Sequence, residues 1–156
     1  FQKITPQANE CSKIDKLAAE LLTKLKERQD KTRKENSLEK SLQKKRLVFG
    51  AHETLKSVQR GNARLVFYAK NLDENNVRAA SNFHSLQKLC PVENIPLIEV
   101  LTRREMSRIA NKYPYVGVIG VLDVSLVESI ANEIVTEWRS SDSYKLYHID
   151  QSSLLP

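Results

Sequence analysis

The sequence has few cysteines and no long apolar run. Its two cysteines are Cys11, in a polar amino-terminal stretch, and Cys90, at the end of a predicted helix, and neither has a metal-ligand spacing such as CxxC. This argues against a disulfide framework or a zinc site and fits a reducing compartment. No apolar run is as long as a membrane span. Because the chain opens with Phe1 rather than Met, we expect a fragment of a soluble protein whose targeting signals cannot be read.

Motifs for catalysis are also missing. The sequence has no P-loop, HExxH or GxSxG, and Gly117 and Gly120 lie in an apolar strand pattern, where glycine more often permits close packing than cradles phosphate. His84 falls inside a predicted helix and His148 in the uncertain tail, and no nucleophile or carboxylate pair is placed beside either. We therefore expect a protein that is not an enzyme and that holds no metal ion or cofactor.

The net charge of +6 is unevenly distributed along the chain. Residues 1–46 hold 13 Lys and Arg against 7 Asp and Glu, whereas residues 47–156 hold 12 of each. Within the second part the basic residues come first and the acidic ones last. Such a gradient would orient the protein on a polyanion such as a nucleic acid. Lysine-rich helices that are merely soluble explain the charge alone equally well.

The amino-terminal part has the pattern of an amphipathic helix. Ser12 and Asp15 resemble a capping box, and apolar residues follow at helical spacing from Ile14 to Leu25. The run 26–35 is polar on every face, so we expect a solvated arm or linker there, with a second short helix around Leu38 and Leu42. We divide the chain into residues 1–36 (amphipathic helix and basic linker), 37–139 (a globular domain) and 140–156 (a tail, either an edge strand or disordered).

From Leu47 onward, short apolar strands alternate with helices. Strands are predicted at 47–49, 65–69, 97–100 and 116–121. Helices are predicted over 50–60, which Gly61 ends, over 73–89, which Pro91 ends, after a capping box at Thr102–Glu105, and after a cap formed by Ser125 and Glu128. Alternation with continuous apolar strands predicts a three-layer α/β/α sandwich around a small mixed central sheet.

Two basic segments are candidates for a binding site. In the first, Arg46 precedes a strand that turns at Gly50 into a helix, and His52, Glu53 and Lys56 project from one side of the helix start. Backbone amides at such an end favour a phosphate. The second holds Arg103, Arg104 and Arg108 with the loop 111–114. Both segments could instead be ordinary solvated faces of helices. The spacing in sequence also leaves open whether the two segments lie at one end of the sheet.

The segment 50–61, GAHETLKSVQRG, is similar to the G-x-N-E-x-x-K-x-x-x-x-G signature of the kink-turn-binding ribosomal-protein superfamily (the L-seven-Ae group). The apolar strand 65–69, the residues Asn94-Ile95-Pro96 and the turn into 116–121 follow that family in order, and the likeness covers about residues 37–139. The usual asparagine is His52 here, so the bidentate pairing of an asparagine with a base is lost at this position.

Within the superfamily the sequence most resembles the eukaryotic branch that binds the selenocysteine insertion sequence (SECIS) of selenoprotein messenger RNAs. Residues 106–112, MSRIANK, resemble the L-G-R-x-x-N-K of that branch, with Ser107 in place of a glycine and with Pro114 one position early. The amino-terminal helix and the basic linker also resemble the segment that precedes its RNA-binding domain.

The resemblance implies that Gly50, Ala51, His52, Glu53 and Lys56 meet the sheared G·A pairs of a kink-turn-like RNA and that the loop 111–114 holds the extruded nucleotide. The expected partners are a SECIS stem-loop and, through the parent protein, the ribosome and the selenocysteine-specific elongation factor, with no membrane. We expect a cytoplasmic protein that could also shuttle to the nucleus. The predicted RNA-binding residues are Arg46, Gly50, Ala51, His52, Glu53, Lys56, Arg60, Arg104, Arg108, Asn111, Lys112, Tyr113 and Pro114.

Two alternatives remain at this point. One is a ribosomal or small-ribonucleoprotein member of the same superfamily, whose compact forms usually lack a long helical prefix. The other is a protein-interaction module that keeps the fold without RNA, which tends to be acidic where this sequence is basic.

Overall fold

The computed structural model describes residues 12–35, 45–72, 76–112, 115–142, 144, 145 and 147. Residues 13–139 form five helices and four strands in the described ranges. The helices are α1 (Lys13–Glu35), α2 (Ala51–Gln59), α3 (Val77–Val92), α4 (Arg103–Ala110) and α5 (Glu128–Arg139). The strands are β1 (Leu47–Phe49), β2 (Leu65–Tyr68), β3 (Leu97–Glu99) and β4 (Val118–Val121).

The four strands form one mixed sheet in the order β1-β4-β2-β3. Strand β4 runs antiparallel to β1 and to β2, with Ile119 opposite both Phe49 and Phe67, whereas β2 and β3 are parallel. The carboxyl ends of β1, β2 and β3 therefore meet the amino end of β4 at one edge, which we call the front edge. The opposite ends of the strands form the rear edge.

Helices cover both faces of the sheet. On one face α1, α4 and α5 pack on Phe67 and Ile119, and on the other α2 and α3 pack on Val66 and Val118. Because helices cover both faces of the sheet, β1, β2 and β4 carry no charged residue, whereas the outer strand β3 ends in the exposed Glu99. All four residues of β4 are buried. The predicted three-layer α/β/α sandwich with a small mixed sheet is confirmed.

Helix α1 forms a wall of the first core. Its side chains Ala18, Leu21, Leu22 and Leu25 have no exposed surface, which agrees with the predicted amphipathic helix. They pack in the same cluster as residues of α4, α5 and the sheet. Burial of this apolar stripe, rather than helix propensity, is what stabilises α1.

The polar run 26–35 is helical, so the prediction of a solvated arm or linker there is wrong. Gln29 is 8% exposed, and its Oε1 atom accepts hydrogen bonds from the backbone N of Arg46 at 2.7 Å and of Leu47 at 2.8 Å. Because β1 is an outer strand of the sheet, these amides have no neighbouring strand on that side, and Gln29 provides their acceptor. Apolar periodicity does not detect a polar residue that is buried against backbone.

Two of the predicted helix caps are confirmed. The Oγ atom of Ser12 accepts from the backbone N of Asp15 at 3.1 Å. At the start of α4, Thr102 and Glu105 exchange both bonds of a capping box, at 3.0 and 3.2 Å. Each cap satisfies an amide that has no acceptor inside its helix.

Two other helix boundaries differ from the prediction. Ser125 does not cap α5, which begins after Val127 without a side-chain cap. The backbone N of Ser125 instead donates to Oδ1 of Asp123 at 2.9 Å, and this bond lowers the pKa of the Asp123 carboxyl. Helix α3 begins after Asn76, whose side chain accepts from the backbone N of Ala79, and continues through Pro91. Pro91 has no N–H to donate within the helix, which ends one residue later at Val92.

Two tyrosines of the described tail pack on α5. Residues 142, 144, 145 and 147 are helical, so an edge strand over this part is wrong. The rings of Tyr144 and Tyr147 lie with their centres 4.8 and 4.9 Å from that of Trp138, and Tyr147 Oη donates to the carbonyl oxygens of Cys90 and Ile95 at 3.2 and 3.1 Å. The short helix predicted around Leu38 and Leu42, and His148, lie outside the described residues.

Gly120 lets α2 approach the sheet closely, and an alanine there is expected to destabilise the fold. A Cβ atom would lie 2.8 Å from Cγ2 of Val48 and 3.1 Å from Cγ2 of Thr54, so we expect Gly120→Ala to cost about 1–3 kcal/mol of unfolding free energy. Gly117→Ala is the matched control, since its nearest neighbour is the end of the half-buried Leu72 side chain, which can turn away. Urea denaturation compares the two variants, and an equal or greater loss for Gly117→Ala would contradict the expectation.

Candidate nucleic-acid interface

Two segments that are distant in sequence meet at the front edge. One is the turn from β1 into α2, and the other is the segment that leads into β4. The backbone N of Gly50 donates to the carbonyl oxygen of Val118 at 2.8 Å, and the Lys112 ammonium lies 5.3 Å from the centre of the Phe49 ring. The antiparallel pairing of β1 with β4 is the cause, because it places the end of one strand beside the beginning of the other. The two candidate segments therefore form one surface.

The start of α2 presents open backbone amides. Gly50 has φ 95° and ψ 153°, a backbone conformation that favours glycine, and no side chain caps the helix. The first amides of a helix have no acceptor within it, so together with the helix dipole they favour an anion.

The side chains of this first turn add groups of both signs. His52 and Glu53 are exposed, and the Nζ atom of Lys56 lies 4.0 Å from Oε1 of Glu53. The carboxylate can accept hydrogen bonds from amino groups, while the lysine and the backbone attract phosphate. The start of α2 can therefore accept hydrogen bonds from amino groups and, beside them, attract a phosphate.

A groove of about 620 Å³ separates the starts of α2 and α3. Asn76 and Arg78 on the α3 side are exposed and face the first turn of α2 across it. The wall from α3 is polar and carries a positive charge. The residues that line this groove are Phe49, Gly50, Ala51, His52, Glu53, Asn76, Arg78, Ala79, Ser81 and Asn82.

A second groove, of about 530 Å³, lies on the other side of Gly50 and is bordered by Leu72, Arg103, Lys112 and Tyr115. The Arg103 guanidinium lies 5.6 Å from the centre of the Tyr115 ring, and Tyr115 is 56% exposed. An exposed ring beside cations suits a base with its phosphate. The two grooves share Phe49, Gly50, Ala51, Asn76 and Ala79, so they form one continuous surface around the start of α2. We call this surface the front groove.

The structure brings most of the predicted residues of α2 together with Lys112. Gly50, Ala51, His52 and Glu53 line the front groove, and Lys56 lies one turn further along α2. Asn111 ends α4 in a left-handed conformation, with φ 54°, directly before Lys112.

Other predicted residues lie away from this surface. Arg104 and Arg108 are exposed one turn apart on α4 and are not among the described residues that line the front groove. Arg60 ends α2, and Arg46 lies at the rear edge, where its carbonyl accepts from the backbone N of Leu122 at 2.7 Å. Tyr113 and Pro114 are outside the described residues.

Three residues of the front groove were missed as site residues. Arg103 was counted only as part of a basic group, and neither Arg78 nor Tyr115 was singled out. Arg78 had a detectable signal, since it lies at the beginning of a predicted helix. That it lines the same groove as Glu53 depends on β1 and β2 both pairing with β4, which no local pattern shows.

Other chemical groups of the described residues lie elsewhere or are inert. Cys90 has no exposed surface, and burial raises the pKa of its thiol to about 12, so the nucleophilic thiolate is scarcely formed at neutral pH. In the described part of the chain, His, Cys, Asp and Glu side chains do not gather in groups of three that could hold a metal ion. Of the helices above, none combines the length and the apolar character needed to cross a membrane.

The fold and its front groove define a small α/β/α domain that offers open helix amides and cationic side chains at one sheet edge. The chain belongs to the ribosomal protein L7Ae/L30e/S12e/Gadd45 family, whose sequence model matches residues 32–130. The fold is similar to that of the 15.5kD RNA binding protein of Giardia lamblia, at 23% identity and a TM-score of 0.56, covering 85% of this chain and 94% of that one. It is also similar to a Bacillus halodurans protein of unknown function, at 23% identity and a TM-score of 0.52, covering 74% and 97%.

Proposed function

We propose that this domain binds an RNA with a kink-turn-like internal loop and does so without catalysing a reaction. The observation that carries the proposal is the meeting of the uncapped start of α2 with Lys112 and Arg103 in one continuous groove. A kinked RNA brings its phosphates close together and exposes base edges that an A-form duplex hides. Open amides and cations match the crowded phosphates, while Glu53 matches exposed amino groups.

Five residues in or beside the front groove have a role in this proposal. Glu53 and His52 read the edges of the sheared G·A pairs, and Gly50 lets the RNA approach the backbone, because a Cβ atom is absent there. Lys56 and Lys112 neutralise phosphates on either side of the bend. The residue types thus divide the work into base readout and backbone neutralisation, as specific nucleic-acid interfaces generally do. Tyr113 and Pro114 are proposed to hold the extruded nucleotide.

The finer proposal is that the RNA is a SECIS element, so that the domain supports incorporation of selenocysteine at UGA codons. The resemblance of residues 106–112 and of the amino-terminal helix to the SECIS-binding branch supports this. Through the parent protein, the ribosome and the selenocysteine-specific elongation factor are the proposed further partners, in the cytoplasm with shuttling to the nucleus.

Gel-shift titration distinguishes these levels of the proposal. Three labelled RNAs are compared: a SECIS stem-loop, a ribosomal kink-turn, and a SECIS stem-loop whose G·A pairs are replaced by Watson–Crick pairs. Tightest binding to the SECIS stem-loop supports the finer proposal, and tightest binding to the ribosomal RNA replaces it with a ribosomal role. Equal affinity for all three RNAs would refute kink recognition, and absence of binding to any of them would favour a protein-interaction module.

A Lys112→Ala variant is expected to bind with a weaker salt dependence. If Lys112 contacts one phosphate, RNA binding by the variant releases one counterion fewer than binding by the wild type. The slope of log affinity against log salt should then become less steep by about 1. Titrations at several salt concentrations measure the slope. Lys24→Ala is the control, since Lys24 pairs with Glu20 on the exposed face of α1. An unchanged slope for Lys112→Ala would remove this lysine from the proposed interface.

A further inference from the structure

Asp15 is a buried carboxylate whose partners are far away in sequence. The residue is 4% exposed. Its Oδ1 atom accepts from the backbone N of Leu101 at 2.9 Å, and its Oδ2 atom pairs with the Nζ atom of Lys70. Asp15 therefore joins α1 to the two loops that follow β2 and β3 at the front edge. A buried carboxylate without such partners would strongly destabilise the fold.

The contact with Leu101 holds an unusual backbone conformation. Leu101 has φ 61°, a left-handed conformation that a leucine adopts only when its surroundings compensate for the strain. Its carbonyl accepts from the backbone N of Lys70 at 2.8 Å, while its own N donates to Asp15. Together these bonds set the direction in which the chain enters Thr102 and α4.

The same two loops form one wall of the front groove. The backbone N of Arg103 donates to Oδ1 of Asn71 at 2.8 Å, which links the loops a second time. Leu72 and Arg103 both border the groove, and both lie within 4 Å of the place that a Cβ atom on Gly117 would take. Asp15 bonds to both loops of this wall, through Leu101 and Lys70, and therefore holds the two loops together.

We propose that Asp15 is a positioning residue for RNA recognition: without touching the RNA, it fixes the place of Leu72 and Arg103 in the front groove. This inference rests on the proposed function and deepens it. It gives helix α1 a part in selecting kinked RNA, in addition to its burial in the core. The physical reason is that Asp15 lies at the end of α1 that reaches the front edge, one turn before the apolar stripe begins.

The test measures selectivity in variants that are fully folded. The ratio of affinities for the SECIS stem-loop and its Watson–Crick-paired counterpart is determined at a temperature where urea denaturation shows every variant to be native. We expect Asp15→Ala to lower this ratio about tenfold and Asp15→Asn about threefold, because the asparagine keeps the acceptor for Leu101 but loses the charge that pairs with Lys70. Leu22→Ala is the matched control: it removes apolar packing from the same helix, keeps both of the bonds that Asp15 makes, and should keep the wild-type ratio.

The outcomes separate this inference from the proposed function. If wild-type protein prefers the SECIS stem-loop but Asp15→Asn has the same ratio as wild type, the positioning role is overturned and the proposed function stands. An equal fall of the ratio in Leu22→Ala would also overturn it, since the effect would then reflect loss of stability alone. Absence of any preference in wild-type protein overturns both. Should Asp15→Ala fail to fold, Asp15→Asn decides the question.

Discussion

A Glu53→Arg variant is expected to lose its preference for kinked RNA, with a fall of about 100-fold in the affinity ratio between the SECIS stem-loop and its Watson–Crick-paired counterpart. A guanidinium has no acceptor for the amino groups of the bases. It would also lie beside Lys56, which is 4.0 Å from Glu53 in the native protein. Binding that does not depend on sequence should persist, because the added cation attracts phosphate.

Two further variants show whether the effect belongs to the carboxylate. Glu53→Gln keeps one carbonyl acceptor, so its loss of selectivity should be smaller than that of Glu53→Arg. Lys13→Ala should leave binding unchanged, since Lys13 pairs with Glu137 at 3.2 Å and is not among the residues that line the front groove. If Glu53→Arg binds both RNAs with wild-type affinity, Glu53 is not part of the interface and the site assignment fails.

Leu22→Ala is expected to lower the free energy of unfolding by about 2–5 kcal/mol. Leu22 has no exposed surface and belongs to the cluster that α1 shares with α4, α5 and the sheet. The alanine would leave a cavity that the surrounding helices can fill only in part. Urea denaturation measures the loss, and all probes should report a single transition, because we propose that α1 and residues 45–139 fold as one unit.

Thr23→Ala is the matched control for Leu22→Ala. Thr23 neighbours Leu22 in α1 but is exposed, and alanine is the better helix former, so its stability should be unchanged or slightly higher. A Leu22→Ala variant as stable as the wild type would show that α1 does not pack on the sheet in solution. Residues 1–36 would then be a separate prefix, as the hydrophobic pattern of the sequence suggests.

The layers of the fold could be predicted because each has a local signal. The unbroken apolar run of β4 indicated a strand covered on both faces, and the spacing from Ala18 to Leu25 indicated a helix with one buried side. The cap at Thr102 was predicted correctly because its partner, Glu105, is only three residues away. Two polar contacts with distant atoms had no local signal: Gln29 bonds to the backbone of Arg46 and Leu47, and Asp15 bonds to Leu101 besides its local role at the start of α1.

For the binding site, the sequence indicated each half but not their meeting. The turn at Gly50 and the cations around Lys112 were both identified, yet the pattern left open whether they share an edge. Arg46 is the converse case: it is only four residues from Gly50 in sequence, but it lies at the opposite edge of the sheet. A strand separates its two ends in space by about 3.3 Å per residue, so nearness in sequence does not place residues in one site.

By itself, the sequence determined the order and type of most secondary-structure elements, the glycine turn before α2, and the excess of positive charge in the first three quarters of the chain. These depend on periodicity and on contacts within one helical turn. Only the tertiary structure decided that α2, α3 and the segment before β4 surround one groove, and that Asp15 supports it from behind. Strand order causes this: β4, the last strand in sequence, lies between β1 and β2, and no local interaction specifies such a long-range pairing.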